Sequence, residues 1–249
     1  MRRADRWLGL PACLALTALR ALADRLRPRT PGPPKSILLV KLAEQGSTVL
    51  AWPALVRAVE RVGRRNVYFM VFRDNRFILD AMDVLEPENV LEIDTRSLAS
   101  AVRGAVRALR RARAAGVDAA IDLEFFARSS AALCYLSGAA ARVGFHAGGG
   151  GGPWRGDLMT HRLSYNPHLH TSRMFLAMVE ALAAPPEQFP AFDLVPPAAD
   201  GPLPHFTPRP EEIEEVRGIV RRAAGRDAVG PLILLNPNAG DLLPLRRWP

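Results

Sequence analysis

The feature that most constrains this chain is a repeated alternation of two patterns. Short apolar runs the length of a buried strand are "SILLVK" (36–41), "VYFMVF" (67–72), "NVLEI" (89–93), "VDAAIDLEF" (117–125) and "ARVGF" (141–145). Between them, "TVLAWPALVRAVERV" (48–62), "NRFILDAM" (75–82), "SLASAVRGAVRALRRARAAG" (97–116) and "ARSSAALCYLSGA" (127–139) carry apolar residues at helical spacing. Strands joined by helices of this length pair in parallel, because a crossover helix is what returns the chain to the same end of the sheet. The fold class is therefore α/β, built on a doubly wound, Rossmann-like parallel sheet. Ligands in such sheets sit beyond the C-terminal strand ends, which puts 42–47, 73–75, 94–97, 124–128 and 146–157 on one rim.

The first of these turns, in "KLAEQGSTVLAWPAL" (41–55), holds a single acid, Glu44, beside Gly46, Ser47 and Thr48. Ser47 and Thr48 are placed to cap the helix that follows, with backbone N–H groups of the turn free to hold an anion, and Gly46 and Thr48 are candidate contacts for a bound ligand. Beyond 146 the alternation breaks into "HAGGGGGPWRGDLMTHRLSYNPHLH", followed by a helix over 168–184. The glycine run at 148–152 lacks the Gly-Lys-Ser/Thr ending of a phosphate loop. It reads as a mobile loop over the rim, with Trp154, Arg155 and Asp157 as possible ligand contacts. His168 and His170 lie two apart, a spacing that faces them in different directions on a helix, so no metal site is expected.

The expected organisation is a basic amphipathic segment and Pro-rich linker (1–34), a Rossmann-like domain (35–184), a Pro-rich crossing with an amphipathic helix (185–230), and a strand opening a second domain (231–249) that is cut off. In the first segment, arginines precede an apolar run over 7–19, too short on this reading to span a bilayer. Basic residues flanking Trp and Leu fit a helix lying in the membrane interface, with a signal peptide and an ordinary packing helix as alternatives. The net charge of +8 comes almost wholly from arginine, since Lys35 and Lys41 are the only lysines. Such a balance suits anionic partners or reflects genome bias. Nucleic acid is disfavoured, because the arginines lie on helix faces without interleaved aromatics. Cys13 and Cys134, far apart in apolar surroundings, make neither a disulfide framework nor a zinc knuckle and fit a cytoplasmic setting.

Four stretches taken together, "ILLVKLAEQGSTVLAWPAL", "AAIDLEFFARSSAALCYLSGAAARVGF", "NPHLHTSRMFLAMVEAL" and "NPNAGDLLPLRRWP", resemble in order and spacing glycosyltransferase family 9, the ADP-heptose:lipopolysaccharide heptosyltransferases. The resemblance runs from about 37 to 249. It implies a GT-B architecture, with an acceptor-side Rossmann-like domain facing a second one that binds the nucleotide-sugar donor. The implied reaction is inverting transfer to a lipid-linked or lipopolysaccharide-type glycan at the cytoplasmic face of the inner membrane, with no cofactor.

The family's turn after the first strand reads Gly-Asp, and that Asp is the proposed base. Here Ser47 stands at its position. A hydroxyl is no base near neutral pH, so the resemblance leaves Glu44 as the nearby carboxylate. Arg128 matches a basic residue that contacts acceptor phosphates, although Glu124 and Phe125 replace the family's Gln and Gly. Asp122, at a strand end, is as readily structural as catalytic. On the donor side, Asn238 in "NPNAG" and Arg246 match residues that approach the donor's phosphates. The alternative is a non-catalytic, membrane-associated module that holds an anionic glycolipid; a GT-B sugar-nucleotide epimerase is more distant.

Overall fold

The computed structural model describes residues 2–26, 31–146, 153–189 and 206–225, with Ile233 and Leu235. The strand expected at 231–240 and the glycine run at 148–152 otherwise lie outside the described residues.

Six strands form one parallel sheet: β1 (Ile37–Val40), β2 (Val67–Phe72), β3 (Val90–Ile93), β4 (Ala119–Asp122), β5 (Ala141–Phe145) and β6 (His161–Leu163). Their order is β3-β2-β1-β4-β5-β6, and every pairing is parallel. This is the doubly wound arrangement that the alternation predicts. All four β1 residues are fully buried, as a central strand covered on both faces requires.

The helices are α1 (Arg2–Leu26), α2 (Gln45–Val49), α3 (Trp52–Val62), α4 (Arg76–Met82), α5 (Leu98–Ala114), α6 (Arg128–Leu136), α7 (Thr171–Ala181) and α8 (Pro210–Ala224). Alternate strand residues divide the core in two. Ile37, Leu39, Phe69 and Ile121 pack toward α3 and α7, and Leu38, Val40, Met70 and Ala120 toward α1, α5 and α6. The span 48–62, expected as one helix, is two, because Pro53 lacks an N–H and sits near the start of α3 rather than in a helix interior. β6 is an unanticipated strand. Its three residues include a buried histidine and an arginine, too few and too polar to register as an apolar run.

α1, set apart in sequence by prolines, is docked on the same compact unit as the sheet. It lies against α6 and the connection between β5 and β6 through a stripe at 9, 13, 16, 17 and 20. Cys13 is fully buried, Thr17 Oγ1 accepts the Asp157 N–H at 3.0 Å, and Arg20 donates to Asp157 at 2.5 Å. Its other side exposes Trp7, Leu8, Leu14, Leu22 and Leu26. Trp7–Leu26 is, by length and composition, long and apolar enough to cross a membrane, which corrects the shorter run read from sequence. The unit that begins at His205 contains α8, with Glu211 and Glu212 in its first turn, Arg221 and Arg222 in its last, and Gly225 in the left-handed region at its end.

One glycine fixes how closely α1 approaches. Gly156 has φ +80°, and a Cβ there would meet Thr17 Oγ1 at 2.9 Å and Cys13 Cβ at 3.2 Å. Gly156→Ala should therefore lower unfolding stability by about 1–3 kcal/mol in urea titration; an unchanged midpoint would mean that α1 does not seat against this connection.

Candidate functional site

β1 and β4 are neighbours whose following connections run to opposite sides, to β2 and to β5. The strand order reverses here, and beyond such a switch point is where sheets of this kind place their ligands. Two segments meet at it, Lys41–Thr48 after β1 and Leu123–Arg128 after β4.

An internal ion pair joins them. Lys41 is fully buried; its Nζ donates to the Ala43 carbonyl at 2.6 Å and lies 3.2 Å from Glu124 Oε1 and 3.5 Å from Glu44 Oε2. Three acceptors match the three protons of the ammonium, as a charge removed from water needs. Glu124 Oε1 also accepts the N–H groups of Leu42 at 2.7 Å and Ala43 at 3.0 Å. One carboxylate thus fixes the turn after β1 from the end of β4.

Glu44 has φ 70°, ψ 90°, a conformation that costs a non-glycine residue about 1–3 kcal/mol. Opposing that cost are the Lys41 ion pair and two hydroxyls donating to the Glu44 carbonyl, Ser47 at 2.9 Å and Thr48 at 3.2 Å. Its side chain remains 57% exposed, with the Ser47 hydroxyl 3.3 Å from Oε2. The result is a carboxylate oriented by a buried cation yet open to solvent. Ser47 and Thr48 are not the caps expected from sequence: they lie inside α2 and donate backward to a carbonyl instead of accepting N–H groups. Thr48 is also fully buried, so it offers nothing to a ligand, whereas Gly46 faces open space.

Arg155 departs from expectation too. It is 4% exposed rather than part of an outward loop, and donates to Asp122 Oδ2 at 2.7 Å and to the Phe145 carbonyl at 2.6 Å. It fastens the β5–β6 connection to the ends of β4 and β5. The cavity beside it is about 10 Å³, room for no more than about one water. Asp122, fully buried, also accepts from Ser130 Oγ at 3.0 Å and the Glu124 N–H at 3.1 Å, which makes it structural. Burial pushes its carboxyl up to about 6, against the pull of Arg155. Arg128, at the start of α6, donates to the Trp154 carbonyl at 2.9 Å with its stem beneath Gly9 of α1. His170 caps α7, its Nδ1 accepting the Ser172 N–H at 3.3 Å. Among the described residues no group of three metal-ligating side chains comes together. Asn238 and Arg246 lie outside the described residues.

Sequence reading missed an aromatic cluster on the same rim. Phe125 stacks on Phe145 at 5.6 Å, and Tyr165 meets Phe125, Phe126 and Phe145 edge-on at 5.5–5.6 Å. These residues follow β4, end β5 and follow β6, so only the pairing of the unanticipated β6 assembles them. Tyr165 is 38% exposed.

No protein-family model matches the sequence, and no curated protein does. Solved structures do. The glycosyl transferase family 9 protein of Veillonella parvula is 16% identical, with a TM-score of 0.53 over 77% of this chain and 49% of its own. The E. coli ADP-heptose lps heptosyltransferase II is 17% identical, with a TM-score of 0.57 over 86% and 57%. The fold is that of glycosyltransferase family 9 structures. This chain spans about half the length of the proteins it matches.

The Asp122–Arg155 pair generates a pH-dependent prediction. Asp122 titrates higher in the folded protein than its ordinary 3.8, so its proton adds stability that is complete below that value and is lost as pH rises through about 6. Arg155→Met should cost about 3–5 kcal/mol at pH 8, where the buried carboxylate loses its partner, and clearly less at pH 5, where it is protonated. An equal loss at both pH values, read by denaturant unfolding, would contradict this account of the pair.

Proposed function

We propose that this chain supplies the acceptor side of an inverting sugar transferase of the heptosyltransferase kind, with Glu44 as the general base. The observation that carries the proposal is the exposed Glu44 carboxylate, oriented by buried Lys41 at the switch point of a sheet with the glycosyltransferase family 9 fold. The E. coli structure is of an ADP-heptose lps heptosyltransferase, which supports a nucleotide-diphosphate sugar as donor and a lipid-linked or lipopolysaccharide-type glycan as acceptor. In the reaction an acceptor hydroxyl attacks the anomeric carbon and its proton passes to Glu44. The bond to the diphosphate breaks, and the diphosphate leaves with that electron pair. No cofactor enters.

Gly46 leaves room for the acceptor beside Glu44, and Arg128 is the candidate for its phosphates. Asn238 and Arg246 are the candidates for the donor's phosphates by resemblance alone. Ser47 helps orient Glu44, while Thr48 and Arg155 act as supports. The exposed aromatic edge of Tyr165 offers an apolar surface against which a sugar face can rest. The outward side of α1 fits an interfacial helix that keeps the protein on the cytoplasmic face of the inner membrane, near a lipid-linked acceptor. The second reading, an acceptor-holding module without chemistry, draws on the same ion pair, because Lys41 occupies one oxygen of Glu44.

Glu44→Gln in the full-length native protein, assayed for sugar transfer from the nucleotide donor, should lower turnover by about 10²–10⁴-fold with acceptor binding retained. Near-normal turnover would remove Glu44 as the base; no transfer by the unaltered protein, with acceptor still bound, would favour the module reading.

A further inference from the structure

Among the described residues, α5 stands out for the number of arginines it leaves without an acid. Its 17 residues include five arginines and no acid. Arg113 donates to the Leu136 carbonyl and so ties α5 to α6. Arg103, Arg107, Arg110 and Arg111 are exposed, and none has an acidic partner among the described residues. Arginines elsewhere on the sheet are paired: Arg73 and Arg76 with Glu92 and Arg96 with Asp94 near α5, and Arg57 and Arg61 with Glu180 on the opposite face.

The outward face of α5 is also divided lengthwise. At about 100° per residue, Leu98, Val102 and Val106 fall on one edge of it and Arg103, Arg107 and Arg110 on the other. Leu98 is 65% exposed and Val102 55%, although the inward stripe of Ala101, Gly104, Ala108 and Ala112 is buried. A solvated face would not need the exposed apolar edge, and a packed face would not tolerate the arginines. An interfacial helix needs both, with aliphatic side chains reaching past the headgroups and guanidinium groups among the phosphates. The face carries no aromatic residue on which a base could stack, which weighs against single-stranded nucleic acid. α5 and α1 also lie on the same side of the sheet, both packed on α6, and α1 presents its own exposed apolar surface.

We propose that the outward face of α5 binds the anionic phospholipid surface of a bilayer, as a contact distinct from α1. Two contacts on one side of the sheet would fix the domain's orientation at the membrane, which a single amphipathic helix does not do. The proposal does not depend on the role of Glu44, so vesicles free of any glycan acceptor test it by itself.

The test is co-sedimentation of the full chain with vesicles of phosphatidylcholine alone or with added phosphatidylglycerol. Wild type should bind the anionic vesicles more tightly, and added salt should weaken that preference. The triple variant Arg103→Gln/Arg107→Gln/Arg110→Gln should lose about 10²-fold in affinity for anionic vesicles. The corresponding triple lysine variant should retain most of it, and Val102→Ser/Val106→Ser should weaken binding to a smaller degree. Equal binding of wild type and the glutamine variant to anionic vesicles would overturn the proposal. So would loss of affinity for a single-stranded oligonucleotide in that variant with vesicle binding unchanged.

Discussion

The ion pair between Lys41 and Glu124 is the interaction on which the rest of the site depends. β1 and β4 are adjacent strands, but their following segments diverge; pairing with β2 holds the turn only as far as the Leu42 carbonyl, which accepts the Phe72 N–H at 3.1 Å, and leaves the N–H groups of Leu42 and Ala43 to be held from the β4 side. Glu124 does so by taking two of its N–H groups and the ammonium of Lys41. The same ammonium also lies 3.5 Å from the Glu44 carboxylate and so helps orient it. Buried charges are costly unless fully satisfied, so the pair stands only as a complete set, and removing one member would leave the other uncompensated. Beneath it, Asp122 and Arg155 repeat the logic one layer deeper, joining β4 to the β5–β6 connection.

The architecture was legible because each strand run was apolar enough to be buried on both faces and each helix had a clear inward stripe. Glu44 was legible because it is the lone acid in its turn. Its partner was not: Glu124 lies far along the chain from Lys41, and only the β1–β4 pairing makes them neighbours. Arg155 was misread because it follows a glycine run and carries a charge, both surface signals. Burial of its guanidinium depends on Asp122, another residue distant in sequence. β6 and the aromatic cluster it completes escaped for a related reason, since three residues cannot display a period. The docking of α1 did have a signal. Gly9, Cys13 and Thr17 recur every four residues as a small-residue stripe opposite the leucines, a pattern that marks a face meant for close packing against another element.

The two sides of the molecule take different tasks from the same composition. Toward α3 and α7, arginines are consumed in ion pairs that lock helix to helix, as Glu180 does for Arg57 and Arg61. Toward α1 and α5, apolar and basic side chains are left exposed next to one another. Among the described residues of this unit, the positive charge is therefore not spread evenly. It is concentrated where acids are missing, and composition alone could not separate that from an arginine-rich background.

Hydrogen exchange of the full chain, with and without a phosphorylated lipid-linked glycan, tests the central claim most directly. A site at the β1/β4 switch point predicts new protection of backbone amides over 42–48 and 124–128 when the glycan is bound, with little change at α4 or at the α3–α7 interface. Protection confined to other segments, with 42–48 and 124–128 unaffected by a glycan that binds, would show that the Lys41–Glu124 seam does not form the acceptor site.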